Sequence, residues 1–152
     1  MLRRALHNAF CRLLVCAVSV VAFVQCNAPR NVVLFDDVNL GEWCEPAEVV
    51  LRKQQGQSVA DMSIVLHVNH NFSADTIGVE VAVHTPDSLR YVERVVMPVT
   101  VEWGDDKNGF VDVEIPYRRD VSFAVEGDYL ISLQPLSVLQ GVEAAGVNFQ
   151  WK

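Results

Sequence analysis

The feature that most limits the folds open to this chain is a two-residue alternation of apolar and polar side chains, recurring from Met62 to the end. In Met62-Ser63-Ile64-Val65-Leu66-His67-Val68-Asn69 every even position is apolar. Ile77-Gly78-Val79-Glu80-Val81-Ala82-Val83-His84 carries its β-branched residues at odd positions. Val99–Trp103, Val111–Ile115, Tyr129–Leu133 and Val147–Trp151 repeat the pattern. Period two sends neighbouring side chains to opposite faces of a strand, so each segment predicts a strand with one buried and one wet face. Less regular strands are expected at 31–35, 47–52, 89–96 and 121–125. Asn108-Gly109, with Gly104-Asp105-Asp106-Lys107 before it, suits a hairpin between 99–103 and 110–115. Thr85-Pro86-Asp87-Ser88 and Glu126-Gly127-Asp128 supply further breaks. Only 136–145 has room for a helical turn. Many short strands at this spacing predict an all-β fold, an antiparallel β-sandwich of jelly-roll or immunoglobulin-like kind, over 32–152.

The N-terminus has a different character. Residues 1–12 carry Arg3, Arg4 and Arg12 and no acid, and Leu13 to Val24 is apolar apart from Ser19. Twelve helical residues reach about 18 Å, short of a hydrocarbon core of about 30 Å. The segment 1–25 therefore reads as a signal peptide. The Arg3-Arg4 pair lacks the flanking residues of a twin-arginine signal. A cut after Ala28 would be blocked by Pro29. Phe23-Val24-Gln25-Cys26 instead resembles a lipoprotein signal, with Gln25 in place of the usual small residue, which makes Cys26 the acylated residue and 26–31 a short tether. The competing reading is an uncleaved anchor with a Cys26–Cys44 disulfide. If Cys26 is acylated, Cys44 is a lone thiol in an oxidising compartment and is expected to be buried beside Trp43. No basic residue lies between Asp36 and Val50 to activate it.

With 152 residues, 51% of them apolar, the chain can build one real core. Without the first 25 residues it holds nine basic against 19 acidic residues, a net charge of −10. Such a surface repels phosphate backbones, so no nucleic-acid partner is expected.

The chemical motifs are few. His67 and His70 stand three apart, and on a regular strand that spacing faces them to opposite sides, which argues against a shared metal. Asp105-Asp106-Lys107-Asn108-Gly109 has Gly104 where a calcium loop needs an acid. No nucleophile elbow, zinc-protease, P-loop or dinucleotide motif occurs, so neither enzyme activity nor a cofactor is expected. Glu80, Glu102, Asp112 and Glu114 alternate with apolar residues and read as a solvated sheet face. Arg118-Arg119-Asp120, the densest charge cluster, reads as a solvated loop, with Arg118 and Arg119 as a candidate partner contact. Trp103 and Trp151 share parity with apolar faces and are expected in the core. Trp43 lies in a loop-like stretch and is a candidate ligand or partner surface. Asp75-Thr76-Ile77 and Asp87-Ser88-Leu89 resemble a short bacterial Asp-Ser/Thr-apolar O-glycosylation site, which makes Thr76 and Ser88 candidate glycosylation sites.

Taken in order, the lipoprotein cysteine, Gly41-Glu42-Trp43, the two-faced strands, Ile115-Pro116-Tyr117, Glu126-Gly127-Asp128-Tyr129 and Gly141-Val142-Glu143-Ala144-Ala145-Gly146-Val147 form a pattern. Over nearly the whole mature chain it resembles the gliding-motility lipoprotein family GldH of Bacteroidetes. The resemblance implies an outer-membrane lipoprotein, held by an N-terminal lipid anchor, that works with other envelope proteins of gliding and the linked secretion machinery. It transfers Cys26 as the acylated residue and no catalytic residue. Members also occur in species that do not glide. Surface-exposed lipoproteins of that phylum often carry acids just after the cysteine; Asn27-Ala28-Pro29-Arg30-Asn31 has none, so the resemblance implies the periplasmic face. Two functions are carried forward: a non-catalytic subunit of an envelope machine, and a periplasmic module binding a ligand such as a glycan. An exposed tryptophan beside a groove would favour the second.

Overall fold

The computed structural model describes residues 30–39, 41–104 and 109–152. The expected signal segment 1–25, Cys26 and the expected turn residues 105–108 lie outside the described residues. Ten strands account for the described chain: β1 (Asn31–Asp37), β2 (Glu42–Trp43), β3 (Ala47–Lys53), β4 (Val59–Asn69), β5 (Thr76–His84), β6 (Arg90–Pro98), β7 (Phe110–Ser122), β8 (Gly127–Pro135), β9 (Leu139–Gln140) and β10 (Val142–Trp151). One sheet has the order β1-β10-β4-β7 and a second β3-β8-β5-β6, while β2 and β9 form a small ribbon. Every pairing is antiparallel. The described residues are thus all-β and sandwich-like.

The alternation sets which face is buried. Met62, Ile64, Leu66 and Val68 of β4 and Ile77, Val79 and Val81 of β5 all enter one core, joined by Val113 and Ile115 of β7, Ile131 and Leu133 of β8, and Val147 and Phe149 of β10. Apolar area removed from water contributes about 25 cal/mol per Å², so these inward faces hold the two layers together. At one end Phe123 meets Tyr129, Phe149 and Trp151 edge-on, with ring centroids 5.1, 5.8 and 5.2 Å apart. Trp151 is in the core as its parity predicts.

Five expectations are corrected. The strand expected over 121–125 is only the tail of β7, which ends at Ser122. Residues 99–103 are not a strand. β6 stops at Pro98, Val99 N–H bonds Asp75 O at 2.8 Å, and the segment runs on without a ladder. Trp103 consequently leaves the core and is 40% exposed, its ring tilted over His70. Residues 136–145 hold no helical turn but β9 and the start of β10. Cys44 is exposed rather than buried, because the β2–β9 ribbon turns Trp43 inward and its chain neighbour outward. Arg118-Arg119-Asp120 is not a loop but an irregular part of β7.

The sandwich closes on one side and gapes on the other. β1 and β3 lie against each other, and Glu48 N–H donates to Asp36 Oδ2 across that seam at 2.8 Å. β6 and β7, the opposite edges, make no comparable contact.

Candidate functional site

β7 follows β4 in register from Phe110 to Pro116 and then departs from it. Ile64 pairs with Ile115 and Ser63 with Pro116, but Met62 pairs with Arg118, leaving Tyr117 as an extra residue; a second irregularity falls between Met62 and Ala60, which faces Val121. Paired residues in an antiparallel ladder share a face. Met62 is buried, so its partner Arg118 is turned to the inner side. Strict alternation from Ile115 would have sent Arg119 there instead. Bulges re-aim side chains in this way and favour sheet edges.

The second bulge is fixed by charge. Asp120 has a left-handed backbone, φ 55°, and its N–H donates to Asp61 Oδ1 at 2.8 Å. Lys152 Nζ sits 2.9 Å from the same oxygen and also holds Asp120. The Asp120 amide, then Lys152, keep the Asp61 carboxyl below its ordinary pKa. A depressed carboxylate stabilises fully above its unfolded pKa, about 3.9, and loses that contribution as pH falls through the lowered folded value. The Asp120 amide resonance is therefore expected to move only in strong acid, below about pH 4. In Asp61→Asn that acid transition should shrink, as an NMR pH titration of the amide will register.

Between the splayed edges lies a cleft of about 540 Å³. Its floor is Val81, Val83, Phe123 and Tyr129, and its rims carry Tyr91 and Glu93 on one side and Tyr117 and Arg118 on the other. Arg118 Nη2 donates to Glu93 Oε2 across the opening, and its guanidinium lies 5.7 Å from the Tyr117 ring centroid. The hydrogen bond to Glu93 leads the effects that raise the Arg118 pKa. Burial raises the half-buried Tyr117 phenol, against the opposing pull of Arg118. Tyr129 O–H donates to Val125 O at 2.8 Å and secures the loop that ends the cleft.

A second concavity, about 530 Å³, is lined by His67, His70, Glu102, Trp103, Phe110 and Asp112. His67 Nδ1 is 2.6 Å from Asp112 Oδ1, and its ring stacks on Phe110 with centroids 5.3 Å apart. The two histidines share this wall because His70 lies in the turn past β4, where strand parity no longer applies. Among the described residues no Ser, Thr or Cys lines it. No group of three or more metal-ligating side chains occurs among the described residues.

The remaining sequence candidates scatter. Trp43 is fully buried, with Nε1 bonded to Glu45 O at 2.9 Å, so its role as a surface is withdrawn: β2–β9 pairing lays the indole into the core. Arg119 is exposed, away from the cleft lining. Thr76 and Ser88 are both exposed, Thr76 at the start of β5 and Ser88 in the turn before β6. Glu80 bonds Arg94 at 2.7 Å and Glu114 bonds Asn148 at 2.9 Å, while Glu102 stands exposed outside any strand. Sequence reasoning missed Tyr91, Glu93 and Tyr117. The available signal was the loss of alternation at Tyr117-Arg118-Arg119-Asp120, in mid-run between Ile115 and Val121. No protein-family model, curated protein or solved structure matches this chain.

Proposed function

We propose that this protein is a non-catalytic lipoprotein of the cell envelope, resembling GldH. Acyl groups on Cys26, palmitate among them, would hold it at the periplasmic face of a Bacteroidetes outer membrane, where it would serve as an accessory subunit of gliding and linked secretion machinery. The observation that carries a protein-binding role is β6. It runs nine residues, pairs only with β5 among the described residues, and exposes Tyr91, Val92 and Val96. An unpaired edge offers its backbone groups to an added strand, and exposed apolar side chains on it mark contact surface. The finer fold type in this reading is a jelly roll. The orders β1-β10-β4-β7 and β3-β8-β5-β6 support it, because they interleave eight long strands between two sheets.

Cys26→Ser is expected to abolish fatty-acid labelling and leave precursor or soluble protein, measured by metabolic labelling and fractionation. Fatty acid retained on the Cys26→Ser chain, or an intact Cys26–Cys44 disulfide in the native protein, would remove the anchor from this proposal. In cells carrying the anchored protein, a crosslinkable residue at Val96 is expected to capture an envelope protein; the same probe at Arg52, on the far edge strand β3, should not.

A second reading, a periplasmic glycan-binding module, draws on Trp103. It is exposed beside a concavity that also offers Asp112, His67 and Glu102 as hydrogen-bonding groups. Saturable oligosaccharide binding that Trp103→Ala abolishes would favour this reading over the first.

A further inference from the structure

The inward-facing residues of β6 become more exposed along the strand. Met97 is 8% exposed, Val95 and Glu93 are partly buried, and Tyr91 reaches 61%. The two sheets therefore part progressively towards Tyr91, and the space between them is floored by core side chains. Its volume falls within the usual range for ligand pockets, and an apolar wall with a few converging polar groups is their usual make-up. We propose that this cleft binds a single-chain anionic amphiphile of the fatty-acid kind, with the acyl chain between the splayed sheets and the carboxylate on Arg118.

Two observations select that ligand. Val81, Val83, Leu89, Val92, Val121 and Phe123 line the cleft, which suits a hydrocarbon chain. Among the described residues Arg118 is the cation in the lining, and the bulge at Tyr117 rather than plain alternation puts it there. Guanidinium has five N–H donors in a fork that fits a carboxylate, and the bond to Glu93 uses one of them. The lining also carries Glu93 and Asp87, so an anionic head must take over the donor that Glu93 now uses.

Glu93 and Arg118 should therefore act with opposite signs. All ten described strands and their shared core lie within 31–152, so a chain of residues 30–152 carries the described fold and is the material for the test. Decanoate and decyltrimethylammonium, both below micelle-forming concentration, are titrated by calorimetry and by amide chemical shifts. Decanoate is expected to bind, with shifts centred on Val83, Leu89, Tyr117 and Val121. Octanoate should bind about fifteen-fold more weakly, at roughly fourfold per methylene. Arg118→Gln should weaken decanoate about tenfold, the scale of one charge-assisted hydrogen bond. Glu93→Gln, which removes the competing carboxylate, should strengthen it. Wild-type amide patterns elsewhere certify that both variants are folded. No decanoate binding at millimolar concentration would overturn the proposal. So would equal or tighter binding of the cationic amphiphile, or an affinity change of the same sign in both variants. None of these outcomes bears on Cys26 labelling, so this inference and the anchoring proposal fail separately.

Discussion

Gly146→Ala is expected to destabilise the domain by about 2–3 kcal/mol, the upper part of the overpacking range. Gly146 lies in β10 between two neighbours, facing Phe35 of β1 and Val65 of β4. A Cβ added there would lie 2.0 Å from Leu34 O and 2.9 Å from Phe35 Cα. Those atoms are backbone, so no rotamer change can relieve the contact. Either β1 moves off β10 or the ladder distorts, and both lose hydrogen bonds that the buried sheet needs. Gly104 makes the control, since a Cβ there meets nothing within 4 Å. Its replacement by alanine should change stability by less than about 0.5 kcal/mol. Urea midpoints of the two variants give the comparison, and amide exchange locates the damage, which should centre on β1. Equal midpoints would mean that β1 does not seat on β10 as described.

β1 also illustrates what alternation can and cannot convey. The regular runs 62–69, 77–84, 111–115, 129–133 and 147–151 fall inside β4, β5, β7, β8 and β10, because a strand buried on one face writes its period directly into the sequence. The irregular runs 31–35 and 47–52 also fall inside strands. Val99–Trp103 carries the same period and is no strand: alternation states which side chains would share a face, not whether a neighbouring strand exists to complete the ladder. Trp43 and Trp103 exchanged places for related reasons. Trp43 is buried by a two-residue pairing with Leu139 and Gln140, nearly a hundred residues away in sequence, while Trp103 lost the strand that would have carried it inward. The cleft was the least legible part. Arg118 and Arg119 look equivalent in sequence, and what separates them is the register against Met62 and Asp61 on β4. A bulge records a mismatch between two strands, so neither strand alone announces it.

The largest loss is expected from a charge placed on an inner face. Val81 of β5 and Val113 of β7 are 2% and 6% exposed and belong to the same core. Val81→Asp or Val113→Asp would bury a carboxylate among apolar side chains with no cation prepared for it, at a cost of several kcal/mol. A domain whose whole stability is about 5–15 kcal/mol should then be largely unfolded or degraded. The wet face should respond differently. Glu80 lies next to Val81 in sequence and Glu114 next to Val113, yet each points away from that core, towards Arg94 and Asn148. Glu80→Gln removes one exposed-side ion pair, a contribution of at most about 1 kcal/mol. Glu114→Gln keeps an oxygen able to accept from Asn148. Adjacent substitutions should therefore differ in outcome by most of the stability of the protein, as circular dichroism and thermal melts will show. The same variants separate a scaffold from a chemical site. If the protein acts as a binding subunit, the folded amide variants should complement a deletion strain and the aspartate variants should fail only because they do not fold. A folded, correctly located Glu80→Gln or Glu114→Gln chain with no activity would place a reactive or ligand-binding carboxylate on the outer face and end the scaffold proposal.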